Sequence, residues 1–213
     1  MKKLFLASYF SGVANLLADF ASGSYEGKKV AFIPTASIPE KVTFYVDADK
    51  KSLAKLGLIV DELEIAKASQ DEIVGKLDNA DYIFVEGGNT FFLLQELKRT
   101  GADKLIAEHI SRGKIYIGAS AGSMIAAKNI EYAKYMDNPE IAKDLNDDFS
   151  ALGIVDFYIV PHYANFPFKK AAEKIINLYS DKLDLRPISN NQVVIVNGGK
   201  VETLTIEKKK NQK

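Results

Sequence analysis

A chain of 213 residues with 47% hydrophobic and 26% charged side chains has the size and make-up of one globular domain. Its 28 basic and 28 acidic residues cancel, so no overall field recruits nucleic acid or an anionic membrane surface. The absence of cysteine excludes a disulfide framework, a thiolate metal site and a cysteine nucleophile.

The opening residues read as a first strand, Leu4–Ala7, and not as a signal peptide. The apolar run stops at Ser8 and the next stretch is amphipathic and carries Asp19. Val13, Leu16, Leu17 and Phe20 have the spacing of one helix face. A second strand, Val30–Pro34, runs into a loop bounded by Pro34 and Pro39, then a helical pattern over Val42–Leu56 and a third strand, Leu58–Leu63. Ser69 followed by Asp71 and Glu72 marks a helix start, with Ile73, Val74 and Leu77 on its apolar face. Asp81–Val85 is a fourth strand. After the turn Glu86–Thr90 come a helix with Phe91, Leu94 and Leu97 inside, Gly101, a helix over Ala102–Arg112, and the apolar run Ile115–Ile117.

This alternation predicts a single α/β domain over residues 1–213, built on an open, doubly wound, mostly parallel sheet. Functional groups are then expected outside the carboxyl ends of the strands. No stretch approaches the roughly 20 apolar residues of a membrane span, and a soluble cytoplasmic protein is the expectation. Beyond Ala127 the segment Lys128–Ser150 is polar and irregular, a lid or a long surface loop. Ile154–Pro161 reads as a strand, Lys170–Tyr179 as a helix, and Gln192–Val196 with Val201–Ile206 as a C-terminal β-hairpin. Lys208–Lys213 reads as a frayed basic tail.

Chemistry concentrates where Ile115–Ile117 meets Gly118-Ala119-Ser120-Ala121-Gly122. Strand, sharp turn and helix with serine at the apex form the G-x-S-x-G nucleophile elbow, whose flanking glycines let strand and helix approach closely. A serine hydroxyl needs a base to take its proton, and the chain has two histidines. His109 lies in a helix beside Leu105, Ile106 and Ile110 and reads as structural. His162, at the end of a strand, is the candidate base. Gly87-Gly88-Asn89-Thr90 has two readings: a plain turn whose Asn89 or Thr90 caps the next helix, or an oxyanion hole formed by the amides of Gly88 and Ala121. A G-x-G-x-x-G motif and a phosphate-loop lysine are both missing there, which disfavours nucleotide binding, and no cluster of metal ligands stands out.

The Gly87-Gly88-Asn89-Thr90 turn, the Ser120 elbow and Leu152-Gly153-Ile154 leading to Pro161-His162-Tyr163, in that order, resemble the peptidase E (aspartyl dipeptidase) family of serine peptidases, which includes cyanophycinases. The resemblance runs from the first strand to the last hairpin. It implies a fold related to class I glutamine amidotransferases, no cofactor and no metal, Ser120 as nucleophile, His162 as general base, and Gly88 and Ala121 as oxyanion donors. An acidic third triad member is expected. Asn190 or Asn191 stands at one position used by relatives and Asp137 resembles another, with Asn190 preferred here. Tyr163–Tyr179 offers lysines and no arginine, so a preference for N-terminal aspartate does not carry over. The expected activity is hydrolysis of small peptides, and the alternative is a weakly active or inactive peptide-binding module on the same fold. An α/β-hydrolase esterase is disfavoured because no histidine follows His162.

Overall fold

The computed structural model of the chain describes residues 1–21 and 25–207; the predicted basic tail lies outside them. Among these residues no helix is long and apolar enough to cross a membrane. Five strands run parallel: β1 (Lys3–Ala7), β2 (Lys29–Ile33), β3 (Ile59–Glu62), β4 (Tyr82–Val85) and β5 (Ile115–Ala119). Between them lie α1 (Leu16–Ala21), α2 (Phe44–Lys55), α3 (Gln70–Asn79), α4 (Thr90–Thr100) and α5 (Ala102–Ser111), and α6 (Ala121–Met124) follows β5. The predicted α/β architecture is therefore present.

Side-chain alternation along each strand divides the core into two layers. Leu4, Leu6, Ile83, Val85 and Tyr116 face one cluster, which takes in apolar residues of α3, α4 and α5. Phe5, Ala7, Phe32, Phe84 and Ile117 face the other, with Leu17 and Phe20 of α1 and Val46 and Leu53 of α2. Strands buried on both faces read as nearly continuous apolar runs, as in Leu4–Ala7 and Tyr82–Val85.

Two further helical and strand elements, β6 (Tyr158–Val160) and α7 (Lys169–Tyr179), precede β7 (Leu185–Pro187) and the hairpin of β8 (Gln192–Asn197) and β9 (Lys200–Thr205). The main sheet has the order β3-β2-β4-β5-β1-β8-β9, so the hairpin extends it antiparallel beyond β1. β4, β5 and β1 are consecutive neighbours. Their carboxyl ends bring Glu86–Gly88, Ser120 and Ser8 to one edge.

Several expectations change. The helix expected from Val13 starts only at Leu16, and a 3-10 turn, Phe10–Gly12, precedes it. The strand expected over Ile154–Pro161 shrinks to β6, which pairs with β7 in a separate small sheet. β7 has no strong signal because it is short and ends in proline. The segment 128–150 forms 3-10 turns packed on the body, with Tyr132, Ala133, Ala142 and Leu145 buried. Its Tyr132 hydroxyl donates to the Ile159 carbonyl at 2.7 Å, which ties it to β6.

Candidate active site

Ser120 sits in a backbone conformation few residues adopt, with φ 47° and ψ −107°. Such geometry costs about 1–3 kcal/mol and persists only where surrounding structure imposes it. Here the closeness of the chain segments imposes it. A Cβ on Gly118 would lie 2.6 Å from the Gly122 carbonyl oxygen, and one on Gly122 would lie 2.0 Å from that of Val85. The turn is pinned by hydrogen bonds from Ser120 N–H to the Ala7 carbonyl at 3.0 Å and from the buried Ser123 hydroxyl to the carbonyls of Ala7 and Gly118.

His162 follows β6, also at positive φ (58°). Its carbonyl accepts from Asn165 N–H, the Asn165 side-chain oxygen accepts from Asn190 N–H, and Tyr163 N–H donates to the Ile188 carbonyl. These bonds lash the His162 loop to the segment before β8. The imidazole stacks on Phe168 with centroids 4.9 Å apart. Its Nε2 lies 2.9 Å from Ser120 Oγ and its Nδ1 lies 2.8 Å from Asn190 Oδ1. Burial pulls the His162 pKa below its ordinary value, partly offset by the bond to Asn190, so the ring is neutral at pH 7.

One participant has no motif to announce it. Ser8, at the end of β1 and buried, accepts the His162 backbone N–H at 2.7 Å and donates to Asn190 Oδ1 at 2.9 Å. Its Oγ is also 3.2 Å from His162 Nδ1. The only available signal was position, at the carboxyl end of a strand beside the elbow strand.

Asp137 requires correction as a candidate partner of the histidine. Its carboxylate accepts the backbone N–H and hydroxyl of Thr90, so it serves the start of α4, and burial raises its pKa to about 6 against those two bonds. A turn residue close in sequence to the elbow was drawn to the nearest unpaired helix N–H groups. Asp156 is exposed and paired with Lys128 at 2.6 Å. His109 is buried on α5, with Nε2 3.4 Å from Asp78, away from this cluster.

On the other side of Ser120, both readings of the glycine turn have a structural counterpart. The Asn89 side chain caps α4, accepting from the N–H groups of Phe91 and Phe92. Gly88 has φ 135°, and a Cβ there would lie 2.1 Å from the Ala36 carbonyl oxygen, so only glycine fits. A Cβ on Gly87 would come 3.1 Å from Ser120 Cβ, which places this turn against the serine. Among the described residues the N–H groups of Gly88 and Ala121 have no acceptor in the protein.

Beneath the turn lie two carboxyl groups that the sequence reading did not single out. Glu86 Oε1 accepts the Gly87 N–H at 2.7 Å, while its buried Oε2 has no partner. Asp49 of α2, also buried, accepts both the N–H and the hydroxyl of Ser11. Burial and then the charge of Asp49 raise Glu86 well above the usual carboxylate range, and burial raises Asp49 to about 6 against its bonds from Ser11.

Hydroxyl, imidazole and acceptor in line, with free amides nearby, is an arrangement suited to nucleophilic acyl transfer. Comparison with known proteins shows a peptidase. Over 197 residues the chain is 55% identical to an uncharacterized peptidase of Pasteurella multocida (strain Pm70), covering 92% of this chain and 94% of the relative. Over 138 residues it is 34% identical to a peptidase E of Nostoc sp., covering 65% of this chain and 53% of the relative. The crystal structure of a candidate peptidase E from Listeria monocytogenes EGD-e superposes with a TM-score of 0.93 at 51% identity, covering 97% of this chain and 100% of that one. A peptidase from an acI-B1 Actinobacterium shares the fold, with a TM-score of 0.70 at 20% identity, covering 97% of this chain and 88% of that one. Peptidase family S51 matches residues 4–204, and the chain belongs to that family.

Proposed function

We propose that this peptidase is a serine hydrolase of small peptides that works through an acyl-enzyme on Ser120. The observation that carries this reading is the 2.9 Å approach of Ser120 Oγ to His162 Nε2, with Nδ1 held by Asn190. With its proton on Nδ1 the ring offers an unprotonated Nε2 to the serine. As Ser120 Oγ attacks the scissile carbonyl carbon, Nε2 takes the hydroxyl proton. The carbonyl oxygen becomes an oxyanion, received by the N–H groups of Gly88 and Ala121. Collapse expels the amine, which takes the proton from His162, and leaves the acyl group on Ser120. Water then attacks the ester carbon, giving a proton to His162, which returns it to Ser120 Oγ as the acyl–oxygen bond breaks and the free acid departs.

The third group is an amide. Asn190 can orient the imidazole, but it carries no charge to stabilise the imidazolium. That single feature favours the second reading, a peptide-binding protein of low turnover on the same fold. A fluorophosphonate probe separates the two. The serine peptidase reading expects covalent modification of Ser120 and loss of dipeptide hydrolysis in Ser120→Ala. A wild-type protein that stays unmodified, and hydrolyses no member of a dipeptide panel, supports the binding protein.

A further inference from the structure

An amide behind a catalytic histidine carries a hazard that a carboxylate does not. Both carboxylate oxygens accept hydrogen bonds, whereas an asparagine presents an acceptor on one side and a donor on the other. Aimed with its NH2 toward Nδ1, Asn190 would leave the ring proton on Nε2, where it faces Ser120 as a donor and cannot take the serine proton. In a serine triad the wrong tautomer costs on the order of 10⁴ in kcat.

The contacts around Ser8 decide between the two orientations. The His162 backbone N–H is a donor with no alternative role, and at 2.7 Å it occupies one lone pair of Ser8 Oγ. The Ser8 hydroxyl proton is then directed to Asn190 Oδ1 at 2.9 Å, and the same oxygen accepts from His162 Nδ1 at 2.8 Å. A carbonyl oxygen has two lone pairs, so each donor has its own acceptor. In the reversed amide, the Ser8 hydroxyl and the ring Nδ1–H would both lose the acceptor they share, and the hydroxyl would have to turn to Nδ1, 3.2 Å away, which leaves the ring proton on Nε2.

We propose that Ser8 is a positioning residue that turns the Asn190 carbonyl toward His162 and thereby selects the tautomer competent to deprotonate Ser120. The inference rests on the reading of Ser120 and His162 as nucleophile and base. Its distinguishing consequence is that Ser8 matters because residue 190 is an amide. With aspartate at 190 either oxygen accepts from Nδ1, and the orienting hydroxyl becomes dispensable.

The test is a double-substitution cycle measured on a dipeptide that the wild type hydrolyses. Ser8→Ala is expected to lower kcat about 10- to 100-fold with KM within about threefold. In the Asn190→Asp background the same substitution is expected to change kcat by less than about threefold. Equal losses in both backgrounds would mean that Ser8 only anchors the His162 backbone, and no loss in either would mean that it does nothing; both results overturn the proposal. Nitrogen-15 NMR of the wild-type imidazole gives an answer that needs no variant to fold and no turnover. A neutral His162 protonated on Nδ1 supports the arrangement, and protonation on Nε2 overturns it. Failure of the wild type to react with the fluorophosphonate would sink the peptidase reading separately.

Discussion

The two sides of Ser120 solve opposite electrostatic problems. On the histidine side Ser8, His162 and Asn190 are all neutral at pH 7 and each contact has a donor and an acceptor. On the glycine side the turn rests on two buried carboxyl groups, Glu86 and Asp49, and one oxygen of Glu86 has no partner. Negative charge thus lies under the backbone that would receive the oxyanion and is missing from behind the base that would carry the cation. Two buried like charges side by side cannot both ionise cheaply. A proton shared by the pair would remove that conflict: a protonated Glu86 would still accept the Gly87 N–H through Oε1 and would present a donor at Oε2, the oxygen without a partner. The turn is then held by an acid in its neutral form, which does not oppose a developing oxyanion. Buried carboxyl groups are in this respect no guide to where a catalytic acid sits.

The largest expected effect comes from the glycine side. Gly88→Ala places a Cβ against the Ala36 carbonyl at a backbone angle reserved for glycine. It is expected to cost about 2–4 kcal/mol of stability and, through displacement of the amide from the oxyanion, about 100- to 1000-fold in kcat. A folded variant with unchanged kcat would remove this turn from the mechanism. On the histidine side, Asn190→Asp adds the missing charge. It should raise kcat about tenfold and move the acidic limb of the kcat/KM profile to higher pH, because a carboxylate at 190 raises the His162 pKa. A profile that stays in place would show that the residue is not coupled to the titrating base.

The smallest effect sharpens the account of the acid pair. A carboxyl group whose folded pKa is raised stabilises the fold fully below the unfolded value, near pH 4, and that contribution is lost as pH rises through the folded value. Glu86 and Asp49 are both raised, so their joint contribution falls from about pH 4 through about pH 6 and above. Glu86→Gln keeps an acceptor for Gly87 N–H and supplies a permanent donor toward Asp49. Its Tm relative to wild type is expected to rise by several degrees between about pH 4 and pH 8. A difference that does not change with pH would mean that the pair holds no proton.

Much of this architecture was legible without coordinates. Apolar runs of four or five residues separated by helical periodicity announced the parallel sheet, and Ser69 was read correctly as a cap, accepting from Glu72 N–H. Gly118 and Gly122 announced the elbow because a side chain at either would strike backbone. Asn190 was legible only through the family resemblance, which puts a partner of the histidine just before the hairpin strand; its Oδ1 lies 2.8 Å from His162 Nδ1. The alternative, Asp137, also came from the resemblance, and its carboxylate is taken by the N–H and hydroxyl of Thr90 at the start of α4.

Local pattern by itself determined the strands of the main sheet, most of the helices, the strained turn at Ser120 and the glycines around it, since each depends on residues close along the chain. Tertiary structure alone decided the company that Ser120 keeps. Ser8, Glu86, His162 and Asn190 lie on separate connections and meet because β4, β5 and β1 are neighbours in the sheet and the hairpin adds to β1. A lone serine after a strand and a lone glutamate before a glycine pair have no periodicity and no motif. What they do follows from hydrogen-bond directions and burial, which exist only once those strand ends stand side by side.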